Sequence, residues 1–282
     1  MADSPLIARL SSLAENYDAL LCDAWGVIHN GVHLFDDVAD ALVQFRRTRG
    51  PVIILTNAPR PSAIIPKQLD RLGLPREAYD GVVTSGDTIR TEIKKRLPAR
   101  FFRLGPEKDD PLFDSLDMDF APFEEAEAII CTGMIHDTIE TPEDYRTMLA
   151  DAAARDMEMV CANPDIKVRW GDRVIWCAGA LAQLFEQLGG RVAHGGKPHR
   201  PIYDLAFDTL AGLQPGLTRS RILCIGDGLQ TDILGANRNG FDVVYVFGAG
   251  GIHEGARDET AVAQLLNSQD VTARATMERL VW

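Results

Sequence analysis

The sequence predicts an α/β fold: a doubly wound parallel sheet with helices on both faces, interrupted by an inserted second α/β domain. Three observations lead there. Short, continuous apolar runs alternate with amphipathic helical patterns almost from end to end, the rhythm of βαβ units whose strands are buried on both faces. Residues suited to chemistry fall in 1–87 and 190–282, whereas 88–189 have strands and helices of their own but none of the obvious chemistry. Each chemical segment also ends or follows an apolar run, and sheets of this kind bind ligands beyond the carboxyl ends of their strands.

The strand-like runs include Ala19 to Cys22, Val52 to Leu55, Val82-Val83, Ile129 to Cys131, Ile222 to Ile225 and Val243 to Phe247. Between them, helical spacing predicts helices over Val38 to Arg47, Ser62 to Leu72, Pro142 to Arg155 and Ala178 to Leu188. Punctuation agrees. Asp36-Asp37 opens the first of these helices and Gly50-Pro51 closes it. Thr141-Pro142-Glu143-Asp144 combines a cap, a first-turn proline and an acidic first turn. Asn30-Gly31 is a two-residue hairpin signal.

Composition narrows the function classes. Hydrophobic residues make up 46% and charged residues 25%, as in a globular chain with a sizeable core. The net charge of −12 repels nucleic acid and anionic membranes, so neither is expected as a partner. No run approaches the ~20 apolar residues of a membrane span. Met1 to Pro5 lacks a signal-peptide pattern, so a cytoplasmic location is expected. Cys22, Cys131, Cys161, Cys177 and Cys224 sit in apolar runs without metal-ligand spacing and read as buried thiols.

Four segments carry the chemistry: Leu20 to Val27 around Asp23, Ile53 to Asn57, Gly195-Gly196-Lys197-Pro198, and Ile222 to Asp232. Taken singly, each reads as a cap, a turn or a solvated lysine; together they converge on one crevice. There Asp23 is a carboxylate nucleophile. Asp227 is the second protein ligand for Mg²⁺, a hard cation suited to carboxylate and carbonyl oxygens, and Asp232 either completes the shell or orients water. Thr56, Asn57 and Lys197 face the phosphoryl group, the hydroxyl by hydrogen bonding and the lysine as a point charge.

The order Asp23-x-x-Gly26-Val27, Thr56-Asn57, Gly196-Lys197-Pro198 and Gly226-Asp227-x-x-x-Thr231-Asp232 resembles the haloacid dehalogenase superfamily. Within it the chain is similar to the NagD-like and nitrophenylphosphatase-like branch, which has a large α/β cap between the second and third motifs. Thr84-Ser85-Gly86, Cys161 to Asp165, Gly179-Ala180 and Gly189 add to that match. The resemblance implies a core of 1–87 and 190–282 and a cap of 88–189. It also implies Asp23 as nucleophile and metal ligand, the Trp25 carbonyl and Asp227 as further ligands, Thr56 on phosphate and Lys197 paired with Asp23. Mg²⁺ is the implied cofactor and a small phosphorylated metabolite the implied substrate. A homodimer formed through the cap is an analogy only, leaving oligomeric state open.

One position departs from that pattern. Phosphatases of the family carry a second Asp two residues after the nucleophile, as acid and then base, where this chain has Trp25. General acid–base help is worth ~10²–10⁴-fold. Three routes stay open: an acid from the cap (His136 or Asp165), a substrate with a good leaving group, or ligand binding without efficient turnover. A dehalogenase is a further alternative, against which stands Asp227. Arg60 could touch phosphate, and His29 and His33 could edge the site, although surface placement suits both histidines better. Trp25, Trp170, Trp176 and Trp282 read as packing residues. Gly226-Asp227-Gly228 and Gly248-Ala249-Gly250-Gly251 both fail as dinucleotide fingerprints, with Thr231 and His253 where the third glycine belongs.

Overall fold

The computed structural model describes residues 4–248 and 259–282. Its strands, in chain order, are β1 (Ala19–Cys22), β2 (Val52–Thr56), β3 (Gly81–Thr84), β4 (Arg100–Leu104), β5 (Asp119–Phe120), β6 (Ala128–Cys131), β7 (Glu158–Cys161), β8 (Lys167–Trp170), β9 (Arg173–Trp176), β10 (Arg191–His194), β11 (Ile222–Gly226), β12 (Asp242–Val246) and β13 (Ala275–Met277). Six of them form one parallel sheet in the order β13-β12-β11-β1-β2-β3. Five form a second parallel sheet, β10-β7-β6-β4-β5, and β8 and β9 make an antiparallel hairpin. The α/β expectation is therefore met, with residues 100–194 supplying the whole second sheet and the hairpin.

Burial explains the apolar runs. Every residue of β1, β2 and β11 is buried, because helices cover both faces of a parallel sheet. One apolar layer gathers Leu20, Val52, Ile54, Leu42 and Phe45 on one face, and a second gathers Leu21, Ile53, Tyr203, Leu210 and Ile233 on the other. The second sheet has its own layers, with Ile129, Leu149 and Phe185 on one side and Ile89, Phe101 and Ile130 on the other.

The helix ends depart from expectation in instructive ways. Asp37 precedes the helix Val38–Thr48 in a left-handed conformation with no side-chain cap, and its carboxylate faces Arg279 instead. Thr141 and Asp144 do form a reciprocal capping box, but the first turn, Pro142–Tyr145, is 3₁₀ and the α-helix starts at Arg146. Likewise Ser62–Ile64 is 3₁₀ before the helix Ile65–Leu72. The turn near Asn30 closes one residue late: Asn30 N–H donates to His33 O, placing Gly31 and Val32 at its tip. Ala249, Gly250, Gly251 and His253, the second glycine-rich pattern, lie outside the described residues. Among the described residues no helix is long and apolar enough to cross a membrane.

Candidate active site

The carboxyl ends of β1, β2 and β11 lie side by side, since β1 pairs with both neighbours in register. Asp23 is the first residue beyond β1, and its N–H donates to Ile225 O across the seam (2.9 Å). Thr56 ends β2, and Asp227 follows β11. Asp232 arrives by a wide turn: Leu229–Ile233 is π-helical, with Ile233 N–H bonded back to Gly228 O (3.1 Å). Turns of this kind concentrate at functional sites. The extra residue brings Asp232 back over the sheet end.

Lys197 ties these parts together. Its Nζ donates to Asp23 Oδ1 (2.6 Å), Asp232 Oδ1 (2.6 Å) and Leu55 O (3.1 Å), and the side chain is 2% exposed. Asp232 Oδ2 accepts from Gly228 N–H (3.1 Å). Oxygen atoms of Asp23, Asp227 and Asp232 lie within 4.8 Å of one another. Three buried carboxylates thus face one ammonium, and no donor among the described residues reaches the Asp227 carboxylate. Burial and the Asp232 charge push Asp23 up to about 8. Asp227 is pushed well up by burial, Asp23 and Asp232. Burial opposes charge on Lys197, yet Asp23 and Asp232 override it and hold the lysine above its usual range. Such a donor set suits a hard divalent cation, which would relieve the surplus negative charge.

Two glycines make the approach possible. At Gly26 the backbone is left-handed (φ +81°), and a Cβ would fall 2.1 Å from Asp227 Oδ2. At Gly196 a Cβ would collide with Asn57 Oδ1 at 2.5 Å. Asn57 is engaged at both ends: Oδ1 accepts from Lys197 N–H (2.7 Å), while Nδ2 donates to Asp165 Oδ1 (2.8 Å) and Lys197 O (3.2 Å). Its side chain thereby positions Lys197 and Asp165. The Thr56 hydroxyl accepts from Ala58 N–H (3.3 Å), leaving its own proton to donate. Gly86 N–H holds Ala58 O (3.1 Å), fixing the loop after Thr56 from below.

Two cavities meet here. The smaller, about 40 Å³, is lined by Asp23, Thr56, Lys197, Asp227 and Asp232, with Lys167 and Arg169 from the hairpin. The larger, about 410 Å³, lies between the two sheets, and Trp25, Asp165 and Val168 border both. The hairpin is closed onto the core by Gly171 N–H donating to Asn30 O (3.0 Å). Residues 88–189, which looked devoid of chemistry, therefore bring Asp165, Lys167 and Arg169 to the site. The alternation Lys167-Val168-Arg169-Trp170 before Gly171-Asp172 is a strand-and-turn signal, and it is the one that could have found them.

The remaining candidates divide. His136 is exposed and lines neither cavity, although Asp137 and Thr138 beside it line the larger one. His33 is exposed, whereas His29 is buried, with Nδ1 accepting from Gly31 N–H (3.0 Å). Arg60 lines the larger cavity and pairs with Asp109 (3.6 Å) rather than reaching Asp23. Trp25 and Trp282 pack on the core and Trp176 on the second sheet's apolar layer, as expected of packing residues, and Trp25, Trp170 and Trp176 also line the larger cavity. All five cysteines are buried and free.

Comparison with known proteins follows the same lines. Residues 20–118 match the haloacid dehalogenase-like hydrolase family model, and residues 194–268 match the HAD-hydrolase-like model. The chain is similar to the solved structure of a haloacid dehalogenase-like hydrolase from Brucella suis 1330, with 42% identity over 98% of this chain and 100% of that one (TM-score 0.89). It is also similar to a possible sugar phosphatase from Cytophaga hutchinsonii (22% identity, 98% of each chain, TM-score 0.80). A third is a p-nitrophenyl phosphatase from Archaeoglobus fulgidus (19% identity, 94% and 97% of the two chains, TM-score 0.71). At these lower identities the last two speak for the fold. A search of curated proteins found no match.

Proposed function

Because the chain belongs to the haloacid dehalogenase-like hydrolase family, we propose that it is a Mg²⁺-dependent phosphatase of small phosphorylated metabolites. The observation that carries this reading is the buried crevice in which Asp23, Asp227 and Asp232 crowd together around one lysine. Asp23, the Trp25 carbonyl and Asp227 would hold the cation, with Asp232 beside them. When bound, Mg²⁺ would offset the mutual repulsion of carboxylate and phosphate and polarise the phosphoryl oxygens.

The residues divide the work. Lys197 holds Oδ1 of Asp23, which aims the other carboxylate oxygen and leaves it free to attack phosphorus. The aspartyl-phosphate so formed would be hydrolysed by water, restoring Asp23. The Thr56 hydroxyl donates to a phosphoryl oxygen, and Lys167 and Arg169 border the same pocket with positive charge. Residues 88–189, continuing into β10, serve as the cap. A dehalogenase would have no use for a buried Asp227 that no donor reaches among the described residues.

Hydrolysis of p-nitrophenyl phosphate, measured with Mg²⁺, with chelator and in Asp23→Asn, tests the reading. Turnover that needs the metal and vanishes in the variant supports it. A folded protein that binds Mg²⁺ but releases no phosphate from any ester would instead favour a phosphometabolite-binding role.

A further inference from the structure

We infer that Arg60 and Arg71 form a subsite for a second anionic group, so that the substrate carries a carboxylate or a further phosphate besides the ester that is cleaved. This rests on the phosphatase reading above and adds to it the substrate class. Three observations lead there.

The first is the path of the chain between the two cavities. Thr56 lines the smaller one, and Ala58, Pro59 and Arg60, which follow it, line the larger. Four residues span at most ~14 Å. A guanidinium at position 60 is thus within reach of the far end of a small metabolite whose phosphate sits at Thr56. The loop is also held. Gly86 N–H donates to Ala58 O (3.1 Å) and Ser62 N–H to Asp87 Oδ1 (3.0 Å), while a Cβ on Gly86 would lie 2.5 Å from Arg60 O. The backbone that presents Arg60 is fixed before a ligand arrives.

The second is the unsatisfied state of Arg60. Its contact with Asp109 is 3.6 Å from Nε to Oδ1, beyond hydrogen-bond range. Nε is buried without a hydrogen-bond partner, and among the described residues the guanidinium donates no hydrogen bond. A buried donor left unmade is costly. An oxyanion accepting two of these N–H groups would satisfy the fork.

The third is how charge is sorted between the walls of the larger cavity. The core side presents Arg60, Gln68 and Arg71, the last two spaced three apart on the helix Ile65–Leu72 and so on one face of it. On the opposite side the charges are already engaged: Lys108 pairs with Asp137, and Asp165 accepts from the Asn57 amide (2.8 Å). Asp109, its side chain 4% exposed, steadies the Arg60 guanidinium without saturating it. An anionic tail entering the cavity therefore meets two guanidiniums on one wall.

A matched series tests this. Butyl phosphate, 4-phosphonooxybutanoate and butane-1,4-diyl bisphosphate share an alkyl leaving group and differ in what ends the chain. Each, with its three- and six-carbon homologues, is assayed with Mg²⁺ as a competitive inhibitor of p-nitrophenyl phosphate hydrolysis. The best carboxylate or bisphosphate should bind about tenfold or more tightly than its alkyl phosphate, and the larger gain distinguishes carboxylate from phosphate. Arg60→Gln should bring the inhibition constants within about twofold of one another, whereas Arg60→Lys, a point charge without the fork, should keep part of the preference. Arg71→Gln, at an exposed helix position, should narrow it too, and tests the subsite even where Arg60→Gln fails to fold. Equal inhibition across the series in the wild type would overturn the proposal alone, as would a preference that both glutamine variants leave intact. Failure to cleave any ester, p-nitrophenyl phosphate included, would overturn the phosphatase reading and this proposal with it.

Discussion

Gly26 and Asp227 approach so closely that a Cβ on the glycine would stand 2.1 Å from the aspartate's Oδ2. The glycine also has φ +81°, a region that costs other residues ~1–3 kcal/mol. Gly26→Ala should therefore lower stability by at least that amount and displace Asp227. In thermal unfolding, Mg²⁺ should raise the Tm of the variant far less than that of the wild type. An equal rise in both proteins would show that Asp227 tolerates the methyl group.

Removing Lys197 exposes the crowding it offsets. With Lys197→Met, Asp23 and Asp232 lose their shared counter-charge in a buried setting. Stripping one partner from such an arrangement typically costs ~3–5 kcal/mol. Urea unfolding in chelator should show a loss of that order.

Asp227→Asn should do the reverse without metal. The substitution removes one of three crowded charges, so the chelated variant should unfold at a higher temperature than chelated wild type. Saturating Mg²⁺ at about a hundred times its Kd adds ~2.7 kcal/mol to a protein that binds it. That gain should appear in wild type and vanish in the variant, inverting their order.

His29 supplies a pH signature. Burial lowers its pKa to about 4 from the ordinary 6.5. The native ring is neutral, while the unfolded ring takes up a proton below ~6.5. Unfolding thus binds a proton in this window, and stability falls as pH drops from 6.5 through 4. The ring's NMR titration midpoint should lie well below the ordinary 6.5. His29→Gln should flatten the acid limb of the stability curve.

Trp25→Asp should put an ionisable group where the indole now borders both cavities. Hydrolysis of alkyl phosphates should rise ~10–100-fold, with a smaller change for aryl phosphates. An unchanged ratio of the two rates would mean that proton transfer does not limit alkyl cleavage.

Much of this was legible in the sequence, for a physical reason. β1, β2 and β11 are buried on both faces, so each reads as an unbroken apolar run, and Asp23, Thr56 and Asp227 stand out as polar residues at or just beyond their ends. Lys197 was visible through its Gly-Lys-Pro setting. The hairpin was less visible because β8 and β9 are only partly buried, and nothing in the sequence alone singles out Lys167 and Arg169, which the fold brings to the smaller cavity. Asn57 shows the limit differently: its side-chain partners, Lys197 and Asp165, lie more than a hundred residues away. That Trp25, Trp170 and Trp176 also wall one cavity was hidden for a related reason. A cavity between two units has walls that neither segment encodes alone.

The bond from Gly171 to Asn30 bears on timing as well as shape. The hairpin forms one wall of the larger cavity while this bond seats it on the core, so lifting the hairpin would widen the way out for a leaving alcohol. Lifting moves a structural unit through solvent, on the microsecond-to-millisecond scale of such motions. Where departure of the alcohol limits turnover, the rate will fall as glycerol or sucrose thickens the medium. Deleting the Gly171 tip would relieve that drag while admitting water to the crevice.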